Sequence, residues 1–395
     1  MLTAVVIALV LVAAMTVLVV RQKNMHQWLG AYLRQRLAPA RVPATAPRTS
    51  CSALSITTNR SGTIPTTSTG SAPGWIAGCA TIRKWQASSS TPTDRHPCHS
   101  FFYPAEEYRA EHLDKLASLC RDGYGEIEIH LHHDNDTAEN LAKDLRDFAN
   151  TLHHQHGALS KDPETGEPVY AFIHGNWCLD NSRPDGRWCG VNNEITVLRD
   201  TGCYADFTFP AAPDPSQPPI INSIYHVNDD PEQPCSHFTG KPAMAGAPQE
   251  SDLLLINGPL MLNWKRRKLG LIPRIENADI RSNNPPTADR VDLWVKAGVR
   301  VQGRDDWIFV KIHTHGAQER DMDALLGEPV SQMHRYLSKR YNDGERYCLH
   351  YVSAREMYNI ALAAEHGMNG EPGEYRDYIL VAPSFASSAS SGACA

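Results

Sequence analysis

The chain has 395 residues, enough for one large domain of about 250–300 residues with appendages. Its net charge of −6 is mild and gives no electrostatic case for nucleic acid, so no such partner is expected. Eighteen His exceed ordinary packing needs and favour metal or acid–base chemistry, while ten Cys in no tight zinc spacing read as buried thiols rather than a disulfide framework.

An apolar run from Leu2 to Val20 carries no charge and approaches the roughly 20 residues that a bilayer span requires. Basic residues follow it (Arg21, Lys23, Arg34, Arg36) rather than precede it, which fits an uncleaved membrane anchor over 1–22 better than a cleaved signal. The positive-inside rule puts the following domain in the cytoplasm, whereas an enzyme acting on exported polysaccharide would face outward. The side of the membrane therefore stays open. Residues 26–37, basic and holding Trp28 and Tyr32, are expected to rest at the membrane surface. Residues 38–95 are rich in Ser, Thr and Pro without helical or strand period, and read literally they are a low-complexity linker.

Beyond Phe101 the pattern predicts alternating helices and strands, a β/α domain over 101–383. A helix over 106–121 precedes a strand over 126–132. Asp136 with Glu139 predicts a capped helix ending near Gly157. Strands are expected at 170–174 and 205–208 around a helix at 192–199, then a Pro-rich excursion over 210–248 and a strand at 253–256. Helices at 288–297, 328–341 and 354–366 alternate with strands at 307–313 and 347–352, and the tail from Ser384 is expected to fray. Repeated strand–helix units predict a parallel sheet, closed or nearly closed into a barrel, with chemistry where strands end.

Three constellations lie at such ends. On the strand at 126–132, period-two geometry places Glu126, Glu128, His130 and His132 on one face, with Asp134 and Asp136 just past the exit. His130, His132 and Asp134 are the candidate ligands of a divalent metal, zinc in first place, which would keep a position open for water. A second strand ends in His313-Thr314-His315, candidate proton donors or stabilisers of a tetrahedral intermediate. The third is the loop after 170–174, where His174, Asn176, Trp177, Arg183 and Arg187 suit a saccharide. Aromatic faces meet sugar C–H surfaces there, and planar polar groups meet hydroxyls. Asp206, at the end of the next strand, is a further catalytic candidate.

The order of these motifs resembles the polysaccharide deacetylases of the NodB-homology type, carbohydrate esterase family 4, as a diverged branch. Glu126-Ile127 and His130 match the family's Glu-Ile-x-x-His stretch, and His313 or His315 its late catalytic His. Position 134 is Asp where the family's second metal-binding His would stand, and no Arg-Pro-Pro-x-Gly loop occurs at 174–177. The resemblance covers roughly residues 101–380. It implies a distorted (β/α) barrel and metal-assisted removal of N- or O-acetyl groups from a polysaccharide or glycolipid. Competing readings are a glycoside hydrolase using Glu126/Glu128 and Asp206, and a non-catalytic glycan-binding or assembly protein.

The resemblance also implies an early strand ending in Asp residues, and as written residues 38–100 offer none. Read two bases out of phase, residues 55–60 can become Asp-His-Tyr-Glu-Pro, and 48–94 an apolar strand, an acidic loop and an amphipathic helix that rejoin Arg95-His96 in frame. This implies a frame-shifted stretch from about 40–48 to 94, and weak or absent activity of the chain as written.

Overall fold

The computed structural model describes residues 2–38, 48–57, 96–315 and 318–385, the strand 48–57 by its backbone alone. The fold is a mixed α/β arrangement around one largely parallel sheet. Its strands are β1 (Arg48–Thr57), β2 (His99–Pro104), β3 (Gly125–Leu131), β4 (Pro168–His174), β5 (Cys203–Asp206), β6 (Ser223–Val227) and β7 (Leu253–Asn257). A hairpin of β8 (Met261–Lys268) and β9 (Ile272–Glu276) stands apart as a two-stranded sheet. β10 (Trp307–His315) and β11 (Tyr347–Val352) complete the main sheet, in the order β10-β1-β2-β3-β4-β5-β7-β6 with β11 also on β1. Only the β6–β7 pair among these is antiparallel.

The expectation of a missing first strand is corrected. Arg48–Thr57 is that strand, its first half beside β11 and its second half beside β2, with β10 along the whole length. Its Ser- and Thr-rich composition hides it, because a strand paired on both edges is held by backbone hydrogen bonds that any side chain permits. The sheet therefore begins before residue 101. Residues 39–47 and 58–95, the remainder of the supposed linker and shifted stretch, lie outside the described residues, as does the tail beyond Phe385.

Alternation along the strands sorts two cores. Ile127, Ile129, Phe172, Ile308, Val310 and Ile312 face one way, into a core built with the flanking helices. Phe102, Ala171, Ile173, Trp307 and Phe309 face the other way, onto the helix Ala354–Glu365. The helix Ala138–His156 buries Leu141, Leu145, Phe148 and Leu152 at helical spacing and stops at Gly157, whose φ of 64° is easy for glycine. Its cap is Thr137, whose hydroxyl accepts from the Asn140 amide, and not Asp136 as expected.

At the N-terminus, α1 (Leu2–Gln22) spans the apolar run as 21 residues of continuous helix, several side chains of its first half lying outside the description. Among the described residues no helix is long and apolar enough to cross a membrane. α2 (Met25–Leu37) corrects the second membrane expectation. Trp28 is fully buried and, with Met25 and Tyr32, packs on Ile221, Leu260, Met261 and Leu262. Asn24 and Gln27 donate to the carbonyls of Pro213 and Pro215, and Gln35 to that of Ile221. The aromatic residues of this segment are spent on the domain itself.

Candidate active site

Where β3, β4, β5 and β10 end, a cleft of about 630 Å³ opens among Trp177, Arg183, Trp188, Asp279, His313 and His315. A water-sized cavity continues inward from it past Trp177, His313 and His315 to His130, His174 and Lys311. Residues 307, 309, 311, 313 and 315 of β10 share one face of the strand, so the apolar run that fills the core ends by delivering Lys311, His313 and His315 to this cavity. The same parity on β3 brings His130 there, its ring 4.7 Å from that of His132.

Each expected site residue can now be placed. His313 and His315 stand together, ring centroids 5.2 Å apart, and Trp177 packs edge-on against His315 at 5.0 Å. Burial first, and then His315, lowers His313 well below the usual imidazole range. Burial and Arg281 bring His315 down to about 3. Both rings are neutral at pH 7, with lone pairs to offer. His130 is buried and lowered well below the usual imidazole range by that burial and by His132, against a backbone contact with Ile173 that raises it. His132 is paired instead with Glu106. Gly175 makes room for it, since a Cβ there would lie 2.3 Å from the ring. The Asp134 carboxylate accepts the Trp188 amide at 2.5 Å, which ties it to the loop. The structure thus does not gather His130, His132 and Asp134 into one ligand group.

Asp206 is fully buried and accepts from the Thr208 amide and hydroxyl at 3.0 and 2.7 Å. Burial raises it and lowers its neighbour Lys311, whose ammonium donates to the carbonyls of Phe207, Phe209 and Ile256. Arg183 lines the cleft, held by Asp185 and Asp214 and lying 4.3 Å over the Trp188 ring. Asn176 donates its amide to His174 Nδ1. Exposed Arg187 pairs with Asp185 and lies outside the cleft lining. Glu126 is clasped by Arg355 and Ser353, and Glu128 accepts from Tyr204 and the Ala171 amide; neither lines the cleft.

Three ligand groups emerge among the described residues; one, Cys348, His350 and Glu371, lies outside the lining of the cleft and its cavity, and the other two stand at the strand ends. Asp279, His313 and His315 each offer an atom within 4.8 Å of the others and open into the cleft. Asp279 reaches them because its segment adds one parallel bridge to His313, with the Ile280 amide donating to the His313 carbonyl. Burial raises its carboxyl against the pull of Arg281. The second group is His133, His174, Cys189 and Glu194. His133 Nε2 lies 3.1 Å, and His174 Nε2 3.7 Å, from Glu194 Oε1, and the Cys189 thiol donates to Oε2 at 3.3 Å. Burial alone would lower His133, but Glu194, with Asp136 behind it, raises it.

No family model matches the chain, and no curated protein does. The chemistry of the two groups therefore rests on their own donors. Glu194 has no solvent exposure and Cys189 and His174 are buried, so an ion there would clamp the loop to the two strand ends with no route for substrate. The cleft group has three donors of the imidazole and carboxylate types and an open side, as a hydrolytic ion requires. Asp279 was illegible because its segment has no period and sits far along the chain. Glu194 carried one signal: it closes the motif that begins at His174.

Proposed function

We propose that this protein is a metal-dependent hydrolase of a polysaccharide or glycolipid, removing N- or O-acetyl groups, on a distorted (β/α) barrel of the polysaccharide-deacetylase type. The observation that carries the reading is the group Asp279, His313 and His315 at the floor of a cleft flanked by Trp177, Trp188 and Arg183. A divalent ion such as zinc, held there, would polarise an acyl carbonyl and acidify a water. The chain's own part is to supply two neutral imidazoles and one carboxylate, and to offer the Trp faces to sugar C–H surfaces. His130 lines the adjoining cavity, from which it would take or return a proton. The glycosidase alternative needs an uncommitted carboxylate pair, and Glu126, Glu128 and Asp206 are each engaged elsewhere.

The proposal includes the membrane anchor, on the strength of the uncharged run from Leu2 to Val20. It also includes the out-of-phase stretch. In register, Ser55 of β1 lies beside His313 and Thr57 beside His315. The shifted reading would set its Asp-His pair at this end of the strand and enrich the site with a carboxylate. Resequencing the gene tests it: codons unable to encode Asp-His-Tyr-Glu-Pro out of phase end the idea.

Metal content and acetate release from an acetylated oligosaccharide test the function. We expect Asp279→Asn and His315→Ala to lose a bound divalent ion and, in the frame-restored protein, at least about 100-fold of activity. An ion kept by both variants and lost from Cys189→Ser would move the metal to the closed group and overturn the cleft assignment. Metal-loaded, frame-restored protein that binds the oligosaccharide without releasing acetate would favour the non-catalytic reading.

A further inference from the structure

We infer that the β8–β9 hairpin is a docking element for an anionic lipid surface, and that it sets the cleft at the headgroup level of the membrane. The inference rests on the anchored reading above and narrows its substrate to a glycan carried on or beside lipid. Between Met261 and Ile275 the chain has no acidic residue, but it holds Lys265, Arg266, Arg267, Lys268 and Arg274. Lys265 is spent on Asp289, and Arg266 donates to Asn284. Arg267, Lys268 and Arg274 are exposed, with no carboxylate partner among the described residues. Interleaved with them are apolar side chains facing solvent: Trp264 at 59 %, Leu271 at 77 % and Leu269 at 91 % exposure. An indole and two leucines among unpaired cations match a bilayer interface, where rings settle at headgroup depth and cations meet anionic lipid.

The turn sharpens the point. Leu269 (φ 51°) and Gly270 (φ 69°) form the left-handed pair of a tight hairpin, closed by the Leu271 amide on the Lys268 carbonyl. The first of these positions suits Asn or Gly. A leucine held there, exposed and strained, has no use within the fold.

The hairpin's root fixes where such a contact would act. Leu262 and Met261 pack on Trp28 and Tyr32 of α2, and Val20 at the end of α1 joins the same apolar cluster. Arg266 and Arg274 line the cleft, as do Pro213 and Pro215, whose carbonyls receive Asn24 and Gln27. Anchor end, hairpin and cleft rim are thus one packed unit.

Hydrogen–deuterium exchange of the full chain, reconstituted in vesicles of phosphatidylcholine with and without phosphatidylglycerol, tests this. We expect the peptide spanning 264–272 to exchange at least several-fold more slowly in the anionic vesicles. The triple variant Trp264→Ser, Leu269→Asn, Leu271→Thr should lose that protection, its Asn suiting the turn so that thermal unfolding is unchanged. Protection of 2–20 without any at 264–272 would overturn the docking assignment while sparing the anchor, and protection of neither would remove both. Equal protection in both vesicle types would overturn the anionic partner. Protection that grows with protein concentration in detergent would replace the lipid by a second copy of the chain.

Discussion

Asp279, half-buried, and Glu128, buried, are both carboxyls raised by desolvation, and their surroundings set them apart. Asp279 faces a cleft beside two neutral imidazoles. Glu128 faces only Tyr204 and a backbone amide, and burial pushes its carboxyl up to about 8. Its folded-state pKa thus lies above its unfolded value, so the native state holds a proton that the unfolded chain releases as pH rises. Stability is fullest below the unfolded value and falls between it and about pH 8, by up to about 1.4 kcal/mol per unit crossed. Glu128→Gln, whose carbonyl can still accept from the Ala171 amide while its NH2 donates to the Tyr204 oxygen, should flatten this slope. Denaturant midpoints at pH 5 and pH 8 check it; equal slopes in both proteins would refute the assignment. The site was only half legible at this scale. Period-two reading puts His130, His313 and His315 on the correct faces because strand geometry is local. It is blind to Asp279 and Glu194, which long-range packing brings in, and it could not foresee that Asp134 is spent on the Trp188 amide.

α2 departs furthest from what its sequence pattern suggests. Its Trp and basic residues look interfacial in sequence, yet the helix is a wedge under the hairpin, with Trp28 at zero exposure. Trp28→Ala should cost about 3–5 kcal/mol, measured by chemical denaturation, as for large core residues generally. A cost within error would mean that the helix docks only weakly. The helices over 288–297 and 328–341 and the last strand were readable to the residue, since strong periodicity and clear stops bound them. β6 and the hairpin were not. One lies in the Pro-rich excursion, and the other carries cations and exposed leucines where a buried strand would alternate.

On the scale of the whole molecule, the two faces of the sheet divide the work. One face packs on the helices that include Ala138–His156 and leads at its end to the closed group around Glu194; the other packs on the helix Ala354–Glu365 and leads to the cleft. Because α2 belongs to the packed body, removing residues 1–22 should leave thermal stability almost unchanged, whereas removal through 38 should lower the melting temperature sharply. Equal melting of the two truncations would show that α2 is dispensable.

β1 has a consequence for how such a protein could decay or recover. Its place between β10, β11 and β2 is secured by amides and carbonyls, which are the same whichever codon phase supplies the residues. The ladder itself places no demand on which side chains the strand carries, whereas any chemistry at its end would depend on them. Shape and reactivity are encoded here in separable parts of one strand. A gene altered there could keep the backbone ladder of this strand while exchanging the side chains at its end, and a second small change could restore them.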